Sequence, residues 1–155
     1  MENDIRSLMI LLGAQNLLIP SSIIAEVIRY RPSETTIDNS DWVTGFITWR
    51  DQRVPVLSTE KIFKTNIKHI AASFDAHIMI FYVVSQAGAA GFYGLPVPSM
   101  PQTLNINEES FSEHQMLDED EESSALLASA LVDGDKLVYL PDLALLEEKA
   151  LEAAQ

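Results

Sequence analysis

The residues best suited to bind a metal ion or to transfer a proton are three histidines, and their spacing does not indicate a site. His69, His77 and His114 have no ligand-like spacing to one another or to paired acidic residues. A metal site needs several ligands that converge on one ion. We therefore expect the histidines to be structural or surface residues, and we expect no metal ion.

A run of five acidic residues at 118–122 is a second candidate, in this case for calcium. Calcium-binding loops interleave acidic residues with small ones and need a glycine at a sharp turn. The run at 118–122 contains no glycine. A solvated, self-repelling loop is the better interpretation.

The glycine-rich segment 88–94 is a third candidate, because such loops can hold a phosphate group. A phosphate loop leads from a strand into a helix, whose N-terminus meets the anion. Here the loop leads into a second apolar, strand-like stretch, which favours a hairpin. The chain also has no cysteine, G-x-S-x-G elbow, Walker lysine or H-E-x-x-H motif. We expect no catalytic residues, no cofactor and no enzymatic activity.

The charge of the chain argues against two classes of partner. The 155 residues include 10 Lys and Arg against 23 Asp and Glu, a net charge of -13. Nucleic acids and anionic membranes both require clustered cations, so we expect neither as a partner. The longest apolar run, residues 78–84, has seven residues, too few to span a membrane. The acidic N-terminus is unlike a secretory signal, so we expect a cytoplasmic protein without membrane insertion.

The acidic charge is concentrated in one part of the chain. Residues 1–77 carry a net charge of -1 and residues 78–155 carry -12. The segment 108–122 holds 8 acidic residues and no Lys or Arg. We expect this segment to be a mobile loop that folding does not require.

Short apolar stretches separated by turn residues predict a β protein. The two clearest hairpins are residues 44–57, with a loop at 50–52, and residues 126–140, with a turn at Asp133-Gly134. Pro55 lacks a backbone donor, which predicts an edge strand or a bulge. Further strands are predicted at 7–12, 17–19, 27–30, 77–84, 92–97 and 104–106. Helical turns are predicted at 23–27 and 59–63, and an amphipathic helix is predicted at 142–154.

Trp49 adjoins Arg50 at the tip of the first hairpin. Aromatic residues of small β proteins usually belong to the core, but the position at a hairpin tip predicts partial exposure of this ring. An aromatic residue beside an arginine is typical of interaction hot spots. Both interpretations of Trp49, core and contact residue, remain open from the sequence.

The order of these segments resembles the CheW-like family of chemotaxis coupling proteins over nearly the whole chain. The matching segments are residues 18–20, 24–28, 42–56, 94–98 and 126–146. The spacing from Gly45 through Arg50 to Pro55 is the most specific part of the resemblance.

Four positions depart from the family pattern. Asp51 replaces the usual glycine after Arg50, and Trp49 replaces a small aliphatic residue. Pro98 stands where an aspartate is common, and Ser58 replaces an acidic residue. These departures favour a divergent member, of a pilus or twitching-motility signalling system rather than of flagellar chemotaxis.

The resemblance implies an all-β fold of two SH3-like, five-stranded barrel lobes around a shared core, with short helices and a C-terminal amphipathic helix. We expect a single CheW-like domain over 1–155, with lobes at 14–70 and 76–148. The N-terminal strand is shared between the lobes, and the acidic loop at 108–122 belongs to the second.

The resemblance also implies a non-catalytic adaptor that joins the regulatory domain of a histidine kinase to the cytoplasmic tip of a chemoreceptor. We expect a chain that is monomeric on its own. The implied partner-binding residues, with Trp49 and Asp51 as neighbours of Arg50, are Ile24, Glu26, Gly45, Trp49, Arg50, Asp51 and Gly94. Backbone geometry alone is an equally good interpretation of Gly45 and Gly94, and a solvated hairpin residue is the alternative for Arg50.

A small acidic secretion chaperone, or another protein-binding module, is the alternative function. Its size and isoelectric point match those of the chain. Such chaperones are helix–sheet dimers, however, whereas this sequence is rich in hairpins.

Overall fold

The computed structural model describes residues 4–12, 15–38, 40–63, 70–84, 91–107, 109, 111–113 and 125–154. Strands dominate these residues, and two α-helices accompany them. The elements are β1 (Ile5–Leu12), β2 (Gln15–Pro20), β3 (Ile24–Arg29), β4 (Thr35–Thr36), β5 (Val43–Trp49), β6 (Gln52–Leu57), α1 (Thr59–Phe63), β7 (His77–Tyr82), β8 (Phe92–Val97), β9 (Gln102–Ile106), β10 (Phe111–Glu113), β11 (Leu126–Val132), β12 (Lys136–Pro141) and α2 (Leu143–Ala154).

The first sheet is built from the two ends of the chain. Its order is β10-β11-β12-β2-β1-β9. All neighbours in it are antiparallel except β12 and β2, which pair in parallel at Tyr139 and Leu17. The last strand of the chain therefore lies beside the second.

The second sheet is built from the continuous segment 24–97. Its order is β3-β7-β8-β6-β5-β4. Two hairpins, β5–β6 and β7–β8, join where Val56 of β6 pairs in parallel with Gly94 of β8. Both hairpins were expected from the sequence.

The sheets differ from the predicted barrels in strand number, closure and chain boundaries. Each sheet has six strands, and in the described residues neither ladder closes on itself. The predicted lobes, 14–70 and 76–148, also do not coincide with the sheets, because β7 and β8 pair with β3 and β6. A division of the chain near residue 70 places β7 and β8 apart from β3 and β6, whereas the chain returns to the first sheet only at β9.

One hydrophobic core lies between the two sheets. The apolar faces of β1 and β2 meet those of β7 and β8, and α2 contributes Leu146 and Ala150. Phe81 and Tyr93 stack in this core with ring centroids 4.9 Å apart, and burial raises the pKa of Tyr93. The resemblance implied a shared core, and the apolar run of β7 predicted a strand buried on both faces; its four residues from Ile78 to Phe81 are buried.

The C-terminal helix was expected, and its N-terminus is capped as the sequence indicates. The Asp142 carboxylate accepts a hydrogen bond from the Leu145 backbone N–H at 3.1 Å. The helical turn predicted at 23–27 is wrong in position. A single 3₁₀ turn occupies Ser21–Ile23, and the β-branched residues that follow pair with β7 as a strand.

Two further expectations need correction. Pro55 lies on β6, which is an interior strand between β8 and β5, so the predicted edge is wrong; the alternative, a bulge, agrees with the register shift of the β5–β6 pair between Val43 and Gly45, next to Pro55. The β6–β8 ladder is limited to the pair Val56 and Gly94, so few bonds depend on that side of β6. The acidic segment 108–122 contains β10, which pairs with β11, and most of its remaining residues lie outside the described part of the chain.

Candidate functional site

The tip of the β5–β6 hairpin is tighter than predicted. Trp49 pairs with Gln52, so the connecting turn holds only Arg50 and Asp51. Both residues have positive φ, 49° and 62°. Two successive left-handed residues define the two-residue hairpin turn whose twist matches that of the strands. Asp51 thus takes up the backbone conformation that glycine adopts more readily, and the sequence departure there leaves a tight turn.

This turn gives a testable prediction for Asp51. Replacing Asp51 with glycine is expected to raise the free energy of unfolding by about 0.5–1 kcal/mol, because glycine has no Cβ to clash in the left-handed region. The measurement is urea unfolding followed by circular dichroism. Asp51→Val serves as the control and is expected to destabilise, since β-branched residues avoid positive φ. A destabilised Asp51→Gly variant would contradict the assigned turn.

Trp49 is buried, which favours the core over the partly exposed ring, the two interpretations that the sequence left open. Its side chain is 5% exposed. The indole Nε1–H donates a hydrogen bond to Glu26 Oε1 at 3.0 Å. The ring therefore belongs to the core of the second sheet, and its one polar atom is satisfied by a residue of β3.

Glu26 links two strands that are not neighbours in the sheet. β3 lies at one edge of the second sheet, and β5 is separated from it by three strands. A register shift between Ile24 and Glu26 marks a local irregularity of β3 beside this side chain. The bond from Trp49 shows that the sheet curls until β3 meets the end of β5.

Arg50 is exposed but held in one orientation. Its side chain is 67% exposed, and its guanidinium lies 3.1 Å from Glu26 Oε1 and 4.6 Å from the centroid of the Trp49 ring. An ion pair this exposed adds little to stability. The ion pair instead affects orientation, because the Glu26 carboxylate and the face of the Trp49 indole together limit the directions that the Arg50 guanidinium can take. We call Glu26, Trp49 and Arg50 the hairpin-tip cluster.

Two aromatic residues extend the hairpin-tip cluster, and the sequence analysis missed both. Phe92 makes an edge-to-face contact with Trp49 at 4.8 Å between centroids. Tyr82 pairs with Phe92 across β7 and β8, and it is 45% exposed. The sequence could have indicated this contact. The strands predicted at 77–84 and 92–97 form a hairpin, and a hairpin places the end of its first strand beside the start of its second. The surface around Arg50 is therefore aromatic as well as charged.

The remaining predicted residues have mainly internal surroundings. Ile24 is half-buried on β3 and packs against the main core. Gly45 and Gly94 are buried. A Cβ on Gly45 would lie 2.1 Å from the Thr35 carbonyl oxygen, and one on Gly94 would lie 2.9 Å from Ile78 Cγ2. Close packing thus accounts for both glycines. The structure brings Glu26, Trp49 and Arg50 together, and Asp51 follows Arg50 in the turn.

The described ranges contain no group of three or more His, Cys, Asp or Glu side chains that could hold a metal ion. Nδ1 of His77 lies 2.6 Å from the Asp75 carbonyl oxygen, to which it donates a hydrogen bond. His69, His114 and the acidic run 118–122 lie outside the described residues. Among the described helices, none has the length and apolar character needed to cross a bilayer.

Comparisons with known proteins agree on one family. The sequence profile of the CheW-like domain matches residues 6–150. The crystal structure of the scaffolding protein TtCheW from Thermoanaerobacter tengcongensis superposes with a TM-score of 0.73 at 18% identity, and the match covers 94% of this chain and 88% of that one. No curated protein matches the sequence. The chain therefore belongs to the CheW-like domain family of chemotaxis scaffolding and coupling adaptors.

Proposed function

We propose that this protein is a non-catalytic adaptor that couples a chemoreceptor to a histidine kinase, and that the hairpin-tip cluster is part of its binding surface. The proposed partners are the regulatory domain of the kinase and the cytoplasmic tip of the receptor, so the adaptor would act in the cytoplasm. Family membership supports the adaptor role. The observation that carries the assignment of the surface is the exposed Arg50 guanidinium, oriented by Glu26 and Trp49.

The chemistry of the hairpin-tip cluster suits protein recognition. An arginine fixed over a buried indole loses little conformational freedom when it binds, because its position is already restricted. The guanidinium keeps N–H groups that can donate hydrogen bonds to a partner's carboxylate or backbone carbonyl. Phe92 contacts the Trp49 ring, and Tyr82 contacts Phe92, so aromatic surface continues beyond Trp49. Aromatic residues and arginine are the residue types that dominate interaction hot spots.

No observation favours the alternative of a secretion chaperone. That class was expected to combine high helicity with an obligate dimer. The described residues contain two α-helices, of five and twelve residues, against twelve strands.

The test is a charge reversal at Arg50. We expect Arg50→Glu to weaken binding to the kinase regulatory domain, the receptor tip or both by at least about tenfold, or about 1.4 kcal/mol. The physical reason is that the variant loses the oriented donors and places a second carboxylate beside Glu26. Isothermal titration calorimetry with the two partners from the same organism measures the change.

Arg53→Glu is the matched control, because it makes the same charge change on the same hairpin. The Arg53 guanidinium lies 3.6 Å from the centroid of the Phe46 ring. Affinities within about twofold of the unmodified protein are expected for this control. Unchanged affinity of Arg50→Glu for both partners would remove the hairpin-tip cluster from the binding surface. Co-purification with a kinase of a chemotaxis or a twitching-motility system would identify the pathway.

A further inference from the structure

Phe74 is the most exposed large apolar side chain in the part of the chain that the structure describes. It is 95% exposed, and it lies between the 3₁₀ turn Ile70–Ala72 and β7. Met100, in the connection from β8 to β9, is 52% exposed. Single exposed apolar residues are common on protein surfaces. These two therefore indicate a site only if the fold holds them together.

Hydrogen bonds fasten the two turns to each other. The Ser73 hydroxyl donates to the Pro98 carbonyl oxygen at 2.7 Å, and the Met100 backbone N–H donates to Asp75 Oδ2 at 3.0 Å. Phe74 lies between the two residues that make these bonds, Ser73 and Asp75. The segment that carries Phe74 is thus tied on both sides to the segment that carries Met100. We call Phe74 and Met100 the apolar ridge.

The surroundings of the apolar ridge carry little charge. Residues 70–74 read IAASF and residues 96–101 read PVPSMP, without a charged side chain. The nearby Asp75 carboxylate accepts the hydrogen bond from Met100. The centres of protein interfaces are poor in charged residues and rich in aromatic residues and methionine. The apolar ridge has this composition, although the chain as a whole has a net charge of -13.

The apolar ridge and the hairpin-tip cluster lie at opposite ends of β8. The strand ends at Val97, three residues before Met100, and it begins at Phe92, which contacts Trp49 of the cluster. A strand of six residues is about 17 Å long. One partner at each end of the strand can therefore be bound at the same time, as an adaptor requires.

The shape of the apolar ridge limits what can cover it. A projecting ring packs closely only when it enters a pocket, because tight interfaces have complementary shapes. A two-fold contact with a second copy of the chain would place ridge against ridge, which encloses neither. Of the two proposed partners, a folded regulatory domain can offer a pocket, whereas the tip of a receptor is itself a projecting surface.

We propose that the apolar ridge is a second docking surface of this protein, and that it inserts into an uncharged, apolar pocket of the regulatory domain of the histidine kinase. The hairpin-tip cluster then binds the receptor tip, and the length of the β7–β8 hairpin separates the two partners. This inference rests on the proposed coupling function and assigns one partner to each surface.

The test removes the apolar ridge with the double variant Phe74→Ser/Met100→Ser. We expect its affinity for the kinase regulatory domain to fall at least about tenfold in isothermal titration calorimetry. Its affinity for the receptor tip is expected to stay within about twofold. Because burial of apolar surface makes the heat capacity change of binding negative, this change is expected to be less negative for the variant. Circular dichroism checks folding, and Phe74→Ser alone replaces the double variant if that one is unfolded.

The matched control is Ile5→Ser/Leu127→Ser, which removes two exposed apolar side chains of the first sheet. They are 56% and 66% exposed. Affinities for both partners within about twofold of the unmodified chain are expected for this control. Arg50→Glu is expected to give the reverse pattern, with weaker binding to the receptor tip and unchanged binding to the kinase domain.

The outcomes separate this inference from the proposed function. If the unmodified chain binds both partners and the ridge variant binds the kinase domain equally well, this inference is wrong and the coupling function stands. If the unmodified chain binds neither partner, both are wrong. Weaker binding of the ridge variant to the receptor tip alone would overturn the inference, and so would competition between the two partners for the unmodified chain. A dimer of the unmodified chain that the ridge variant abolishes would also overturn it.

Discussion

Replacing Trp49 with alanine is expected to lower the free energy of unfolding by about 3–5 kcal/mol, the usual cost of removing a buried large aromatic residue. The ring is 5% exposed and contacts Phe92 edge to face. The other buried members of its hydrophobic cluster are Ile47, Val54, Val56, Ile78 and Ile80. Alanine would leave a cavity among side chains held by four different strands, and such a site collapses only partly.

The loss is measured by urea unfolding monitored by far-ultraviolet circular dichroism. Trp42→Ala is the matched control, because Trp42 is the other tryptophan and is half-buried. We expect a smaller loss for Trp42→Ala. A Trp49→Ala loss no larger than that of the control would contradict the burial of Trp49. Partner binding is also expected to fall, because Arg50 loses the ring below its guanidinium.

Replacing Gly45 with alanine is expected to lower the free energy of unfolding by about 2–3 kcal/mol, as overpacking a filled site does. The added Cβ would lie 2.1 Å from the Thr35 carbonyl oxygen and 2.9 Å from Ser33 Cβ. A backbone oxygen cannot rotate away as the end of a side chain can. β4 would have to leave β5, and its two pairs with β5 would be lost.

Gly134→Ala is a useful control for Gly45→Ala, because the two sites separate crowding from backbone conformation. A Cβ on Gly134 meets no atom within 4 Å, but the φ of 82° is unfavourable for alanine. We expect Gly134→Ala to cost about 1 kcal/mol. Chemical unfolding measures both variants. A Gly45→Ala loss equal to or below that of the control would contradict the close approach of β4.

Local sequence was enough to predict the hairpins and the terminal helix. Turn residues at Asp133-Gly134 separate two apolar runs, and Asp142 precedes a segment with helical apolar spacing. These elements depend on interactions between residues close in sequence. The prediction of a helical turn at 23–27 failed because the structure there depends on residues distant in sequence. The segment is a strand that pairs with β7, about fifty residues later.

The hairpin-tip cluster was predictable only in part. Arg50 and Glu26 were both expected to bind partners, but nothing in the sequence links one to the other or to Trp49. Their contact arises because the second sheet curls until β3 meets β5. The burial of Trp49 depends in turn on Phe92, which lies 43 positions later in the sequence. Contacts set by the curvature of a sheet leave no periodic pattern from which to predict them.

The route of the chain through the two sheets has a consequence for synthesis on the ribosome. The six strands of the second sheet lie within residues 24–97, so all of them have been made before β9, β10, β11 and β12 of the first sheet. β2 in the first sheet pairs with β12, which joins Leu17 to Tyr139. Domains form from the N-terminus during translation, and distant pairings form slowly. During translation β2 therefore waits for the last strand, and a chain that ends before residue 136 leaves that side of β2 open.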